Sequence, residues 1–252
     1  MNIIEGLLLG VLQGFTEFLP VSSSGHLALF QNIFSNIDIS FDIMVHLATL
    51  LAVLIFFFGD IMIIIRDVLM WDKKSENFWM FWYLIIATIP AGLAGFFLRN
   101  VVQSIFSNLL FVGFGFIISG LFLFSASFVK HRNNLNIKNS LIVGIAQALA
   151  ILPGLSRSGS TVSTGVLLGV EREKAIKFSF LMSIPVIIGA SILEIGKISF
   201  SWPFFAGFAA AFISGFIGIF IFVKHIRIKN FRWFAYYCWL LAIVCFLLTF
   251  LG

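Results

Sequence analysis

Six stretches of this chain, about 43–65, 78–98, 109–129, 178–196, 203–223 and 234–251, are almost wholly apolar. Each is close to the roughly 20 residues with which a helix crosses a bilayer. No water-soluble fold could cover so many such runs, because only 11% of the 252 residues are Asp, Glu, Lys or Arg, against about 25% in soluble domains. The chain therefore reads as an all-α integral membrane protein, a single membrane domain over 1–252. Cys238 and Cys245 lie on one face of one apolar run and read as small hydrophobes, not as a disulfide framework. The net charge of +5 does not point to nucleic acid, since the basic residues cluster at the ends of apolar runs. The N-terminal segment lacks a basic start and carries Glu5 and Glu17, so it is not read as a cleaved signal peptide.

The connections set the expected orientation. Asp60 interrupts the first stretch, so that span should end near Phe58, with 61–72 running along the interface. Basic residues gather in four connections: Arg66, Lys73 and Lys74; Lys130, Arg132 and Lys138; Arg172, Lys174 and Lys177; and Lys224, Arg227, Lys229 and Arg232. The alternate connections hold only Arg99 and Lys197. Six spans put all four basic connections on one side, which is cytoplasmic by the positive-inside rule. Both termini then face outward. Two further apolar segments, about 2–30 and 140–170, are rich in Gly and Ser and carry a central Pro. The count closes only if neither crosses completely, so both are expected to be re-entrant helical hairpins, the first entering from outside and the second from inside. Irregular backbone at that depth survives only where protein or a polar cavity satisfies it.

The hairpins resemble each other. Gly10-Val-Leu-Gln13 pairs with Gly144-Ile-Ala-Gln147, and Ser22-Ser23-Ser24-Gly25 with Ser156-Arg157-Ser158-Gly159, both 134 residues apart. Each is followed by three spans, an odd number, so the second half should be inverted relative to the first. The halves are repeat one, about 1–130, and repeat two, about 138–252.

Charge inside a membrane costs at least about 2.5–3.5 kcal/mol per residue, and Glu17, His26 and Arg157 all lie on the hairpins. Gln13 and Glu17 share a helix face. Pro20 ends that helix, Ser22 to Gly25 form a small-residue turn with free N–H groups, and His26 follows. In the second hairpin Ser156, Arg157, Ser158, Gly159 and Thr161 combine backbone N–H groups, hydroxyls and a guanidinium at a helix start, an anion cradle that suits phosphate. Bland readings stand beside these. Arg157 could simply pair with Glu17 to hold the halves together, and the serines could be close-packing residues. Asp42 and His46, four apart near the outer end of the first span, read as a structural pair. Glu171 to Lys174 read as a polar loop.

Gln13-Gly-Phe-Thr-Glu17-Phe-Leu-Pro-Val-Ser-Ser-Ser-Gly-His26 resembles the (E/Q)xxxE…PVSS-G-H signature of the undecaprenyl-pyrophosphate phosphatases, the bacitracin-resistance membrane phosphatases. Pro153-Gly-Leu-Ser-Arg157-Ser-Gly-Ser-Thr161 is similar to their PGxSRSxxT signature. The resemblance implies removal of the terminal phosphate of a polyprenyl pyrophosphate lipid at the outer face of the bacterial cytoplasmic membrane, recycling the carrier for cell-wall polymers. It places the catalytic positions on Glu17, Ser23, His26 and Arg157. The family's first acidic position is Gln13 here, an allowed variant that weakens a two-carboxylate metal site. One carboxylate with an amide oxygen can still hold Mg²⁺ or Ca²⁺ if substrate phosphates supply the other ligands.

On that footing the pyrophosphate should lie between the hairpin tips. Arg157, the cradle N–H groups and the hydroxyls of Ser158 and Thr161 would stabilise its oxygens. Ser23 would attack, with His26 managing its proton and Glu17 holding a divalent cation or orienting His26. His26 as the nucleophile and a metal-bound water remain open. A lipid transporter or flippase is the rival, since inverted repeats with broken segments are a transporter architecture. Small-residue runs such as Gly113-Phe-Gly115 and Ala206-Gly207 permit a homodimer.

Overall fold

The structure, a computed structural model, describes residues 1–33, 39–106, 108–129, 133–194 and 201–251. Helices follow in the order α1 Ile3–Phe18, α2 Ser23–Ile33, α3 Ile39–Phe56, α4 Phe58–Leu69, α5 Glu76–Phe97, α6 Arg99–Phe106, α7 Leu109–Ala126, α8 Ile137–Leu149, α9 Arg157–Leu167, α10 Arg172–Glu194, α11 Trp202–Lys224 and α12 Phe231–Leu251. The protein is an all-helical integral membrane protein. Among the described residues five helices are long and apolar enough to cross a bilayer, and α3 with α4 makes a sixth if the bent pair is one span.

Each Gly/Ser-rich segment is two helices broken at its proline. α1 stops at Leu19, before Pro20, and α8 at Ala150, three residues before Pro153. The chain then turns through left-handed backbone, at Ser22 with φ 66° and at Gly154 with φ 82°. Glycine tolerates that region freely, whereas a serine there is strained and persists only where its surroundings hold it. Ser22 is held by its own role: its Oγ accepts from the Gly25 amide at 3.2 Å. Ser156 does the same for α9, accepting from Gly159 N at 3.0 Å. Both returning helices thus start on a serine cap three residues before a glycine, at positions 134 apart.

Packing crosses between the halves. α1 lies against α11, and α8 against α5, while α7 packs on α12 and α3 on α10. The α1 face is a stripe of Gly6, Gly10 and Gly14 laid on the backbone of Pro203, Gly207 and Ala211, the small-residue contact that lets membrane helices approach closely. A methyl group on Gly10 would overlap the Gly207 carbonyl, whereas one on Gly92 meets nothing within 4 Å. Overpacking a fitted contact costs about 1–3 kcal/mol. Gly10→Ala is therefore expected to lower the thermal midpoint in detergent clearly and Gly92→Ala to leave it unchanged; equal midpoints would show that the α1–α11 contact is not tight.

Three expectations need revision. Gly113 and Gly115 face Phe246 and the Pro153–Gly154 backbone, and Gly207 faces Gly6 and Phe41, so these small residues are used inside one chain and are not free for a dimer. The fourth span begins at Arg172, not 178, and Arg172, Lys174 and Lys177 are helical rather than loop residues. Distant partners permit this. Lys174 Nζ reaches Glu76 at 2.8 Å and Lys177 Nζ reaches Asp60 at 2.5 Å. Arg172 donates to the Phe222 carbonyl at 2.8 Å, near the C-terminal end of α11, where cations are favoured. The first apolar stretch is bent close to the place its sequence suggested: α4 turns away from α3 by 69° just after Phe56.

Candidate active site

The two helix breaks meet. Ser158 Oγ donates to the Leu19 carbonyl at 3.3 Å, and a methyl group on Gly25 would touch the Gly154 Cα. Ser23 and Arg157, the first residues of α2 and α9, both reach the carboxylate of Glu17, which comes from the last turn of α1 and is only 8% exposed. Arg157 Nη2 donates to Glu17 Oε1 at 2.5 Å. Glu17 Oε2 accepts from Ser23 Oγ at 2.6 Å and from Gln13 Nε2 at 3.1 Å. A buried carboxylate surrounded by three donors is well satisfied. Arg157 nevertheless keeps a surplus: its Nη1 is buried without a protein partner among the described residues. A guanidinium with a free buried donor is suited to an incoming anion.

His26 is placed otherwise than expected. Its Nδ1 lies 2.7 Å from the Ser22 carbonyl. A carbonyl can only accept, so Nδ1 carries the hydrogen, and in the neutral ring Nε2 accepts from the Tyr237 hydroxyl at 2.8 Å. The His26 and Tyr237 rings stack with centroids 5.7 Å apart. Both nitrogens are thus engaged away from Ser23, whose hydroxyl is held by Glu17. Tyr237, on α12, carried no sequence signal beyond an aromatic residue near a basic connection. Tyr237→Phe leaves Nε2 of a buried ring without its donor, at a cost of about 1–3 kcal/mol. The expected result is a lower thermal midpoint in detergent; an unchanged midpoint would mean that the hydroxyl does not hold the ring.

Other cradle residues are only partly where the sequence put them. Ser22 and Ser24 share a hydrogen bond at 3.2 Å, and Ser156 caps α9. Ser158 is turned toward Leu19, and Thr161 Oγ1 bonds Ser179 at 2.6 Å and the Arg157 carbonyl at 2.8 Å. The Ser158 hydroxyl therefore ties α9 to the end of α1, while the Thr161 hydroxyl donates back to the Arg157 carbonyl of its own helix and meets Ser179 of α10. His46 enters the site unexpectedly. Its Nδ1 donates to the Asp42 main-chain carbonyl at 2.7 Å, and its Nε2 stands 3.8 Å from Glu17 Oε2. The i,i+4 spacing with Asp42 announced a local pair but not that the ring's other edge faces Glu17. Cys238 and Cys245 are buried and free.

These features define an integral membrane protein whose polar centre is buried where two proline-broken helices meet. The chain belongs to the bacitracin resistance protein BacA family, which it matches over residues 6–244. It is 39% identical to the undecaprenyl-diphosphatase of Methanobrevibacter smithii, with 98% of each chain covered. It is also 39% identical to undecaprenyl-diphosphatase 1 of Shouchella clausii, covering 98% of this chain and 96% of that one. Identity to the undecaprenyl-diphosphatase of Thermosipho africanus is 41%, over 95% of this chain and 98% of the relative.

Proposed function

We propose that this chain hydrolyses undecaprenyl pyrophosphate to undecaprenyl phosphate and inorganic phosphate, returning the lipid carrier to cell-wall synthesis. One observation carries the reading: a hydroxyl, a carboxylate and a guanidinium with a spare donor converge, as Ser23, Glu17 and Arg157, where two helix starts meet. Helix starts present unpaired N–H groups and favour anions.

The terminal phosphoryl group binds against Arg157 Nη1 and the first turns of α2 and α9. Ser23 Oγ attacks the terminal phosphorus and its proton passes to Glu17. The phosphoanhydride bond breaks and undecaprenyl phosphate leaves with the bond's electrons. Water then splits the phosphoseryl ester. Glu17, rather than His26, takes the serine proton, because it already accepts that hydrogen bond; His26, fixed by Ser22 and Tyr237, holds the turn that presents Ser23. Ser22, Ser24, Gly25, Ser156 and Gly159 keep the two helix starts in place around the phosphates. The Mg²⁺ or Ca²⁺ ion stays part of the reading. Gln13 Oε1 is a buried oxygen without a donor among the described residues, so Gln13 and Glu17 would offer it two oxygens and substrate phosphates the rest. Such an ion would supply neutralisation of the pyrophosphate charge.

The topology is six spans with two re-entrant hairpins, in inverted repeats of about 1–130 and 138–252, supported by the 134-residue offset of α2 and α9 and by the exchanged helix packing. The protein sits in the cytoplasmic membrane with its basic connections inside. The site opens outward: His46, whose side chain is 34% exposed, lies seven residues from the start of α3, about 10 Å at the helical rise. The prenyl tail lies in the bilayer against the Phe-rich helix faces. A homodimer, if formed, must use surfaces other than the glycine runs. The exchanged packing equally suits a protein that moves lipid, and Ser23→Ala separates the two readings. Wild type in detergent is expected to release phosphate from a polyprenyl pyrophosphate and to lose this with EDTA, and Ser23→Ala to lose about 10²–10⁴-fold or more. Folded wild type that releases no phosphate would overturn the enzyme and leave the lipid mover.

A further inference from the structure

The two halves of the repeat close one of two equivalent seams and leave the other open. Three spans follow each hairpin, α3, α5 and α7 in one half and α10, α11 and α12 in the other, so the α3–α11 seam corresponds to the α10–α5 seam. The first is tight: Gly207 of α11 lies against Phe41, and Gly215 against Thr49 and Ala52. In the second, a methyl group on Gly92 of α5 or on Gly189 of α10 would meet nothing within 4 Å. Accordingly 44% of the apolar stretch of α11 is buried but only 17% of that of α5. On its bilayer side the open seam is a cavity of about 530 Å³, with Phe81, Thr88 and Gly92 along one wall, Leu181 and Pro185 along the other, and Ile64 of the bent α4 across its end. Phe81 to Gly92 spans about 16 Å at the helical rise.

The walls select the occupant. Thr88 brings the one polar side chain among the lining residues, and its hydroxyl is taken up by the Leu84 carbonyl at 2.7 Å, so the cavity offers contacts to hydrocarbon alone. The charges at its α4 end are matched: Lys177 with Asp60 at 2.5 Å, Lys174 with Glu76 at 2.8 Å and Arg66 with Asp67 at 2.9 Å. An anionic headgroup is drawn by uncompensated basic residues, and these pairs leave none for an ordinary leaflet lipid. A chain lying here therefore carries its phosphate elsewhere, and Arg157, with Nη1 free, supplies such a place. The cavity adjoins that site. Leu181 follows Phe180, whose ring packs at 5.5 Å on Phe18, the residue after Glu17.

We propose that this cavity is the tail subsite: the prenyl chain of the lipid whose pyrophosphate sits at Ser23 and Arg157 lies along the α5–α10 seam. The identity of that lipid rests on the phosphatase reading. Within a bilayer the subsite adds no hydrophobic driving force, because lipid tails are as apolar as its walls; it adds packing contacts and a fixed direction for the chain. Such binding is the same before and during reaction, so it shows in KM and not in kcat, and it favours long chains over short ones.

Gly92→Leu fills the cavity from α5 without meeting a neighbour and puts a better helix former in place of glycine, so the fold is kept. Full-length wild type and Gly92→Leu are compared in detergent on undecaprenyl pyrophosphate and on geranyl pyrophosphate, whose short chain ends near the headgroup. KM for the undecaprenyl substrate should rise about tenfold, the low end for a changed apolar pocket, with kcat held. Both constants for the geranyl substrate should stay as in wild type. An unchanged undecaprenyl KM, or an equal loss on both substrates, overturns the proposal. A polyprenyl phosphate with a diazirine at mid-chain gives a readout apart from turnover. On irradiation it should attach to wild type at α5 or α10 beside the cavity, attach far less to Gly92→Leu, and be displaced by undecaprenyl phosphate but not by phosphatidylglycerol. Label on other helices, or displacement by both lipids, overturns the assignment, the latter making the cavity a general lipid groove. Wild type that hydrolyses neither substrate yet is labelled here would sink the phosphatase reading and leave the tail subsite standing.

Discussion

Glu17→Gln is expected to lower kcat for phosphate release by about 10²–10⁴-fold, the range for removing a positioned acid–base group. Glutamine keeps the size of the side chain and one oxygen. It cannot take the Ser23 proton, and its amide hydrogens point a donor at either Ser23 or Arg157. The 2.6 Å hydrogen bond that readies Ser23 is then lost or reversed. Glu17→Asp should recover little, since shortening by one methylene withdraws the carboxylate from both Ser23 and Arg157. Phosphate release by the purified variant, with monodispersity and thermal midpoint as controls for folding, decides it. A Glu17→Gln protein with wild-type kcat would place the proton acceptor elsewhere, and His46 would be the next group to test.

Arg157→Gln should be the more damaging change to the molecule as a whole. Removing one partner of a buried ion pair costs about 3–5 kcal/mol, because the other charge is left bare. Removing an electrostatic clamp costs about 10²–10³ in rate. These effects can be told apart with the double variant Glu17→Gln/Arg157→Gln. It should regain much of the thermal midpoint lost by Arg157→Gln, since no charge is stranded, and regain none of the activity. Were the pair only a brace between the two halves, stability and activity would recover together. That would leave Nη1 of Arg157 without a function, and the anion reading of the site would fall.

Much of the scaffold of this site was legible from residue spacing. Pro20 and Pro153 announced the two breaks, the serine caps at Ser22 and Ser156 follow from small polar residues placed before a helix, and the offset between them anticipated that α2 and α9 begin in equivalent ways. Glu17 with Arg157 was legible as a pair because charge at membrane depth demands a partner. Four features escaped. Ser23 and His26 stand three apart, on one helix face, yet the left-handed Ser22 lets the ring bond the carbonyl at its own helix start. Tyr237 reaches His26 from 211 positions away, and no local pattern carries such a contact. The start of α10 was hidden because hydropathy counts Lys174 and Lys177 as loop residues, while Glu76 and Asp60 make them tolerable in a helix. His46 had a local partner of the expected kind, which concealed that its other edge belongs to the site.

The exchange of helices between halves bears on how the chain is made. α1 is synthesised before the other helices described, and its glycine face fits the backbone of α11, which begins at residue 202. The helices from α2 to α10 are made while Gly6, Gly10 and Gly14 still lack that partner. Glu17, at the end of the same helix, waits for Arg157, which opens α9 at residue 157, a charge in the bilayer without its counterion until then. The ion pair of the active centre and the glycine contact of α1 thus both wait on helices of the second repeat. A nascent chain that stalls midway holds an unpaired carboxylate and an open glycine groove, features by which membrane quality control could tell an unfinished copy from a finished one.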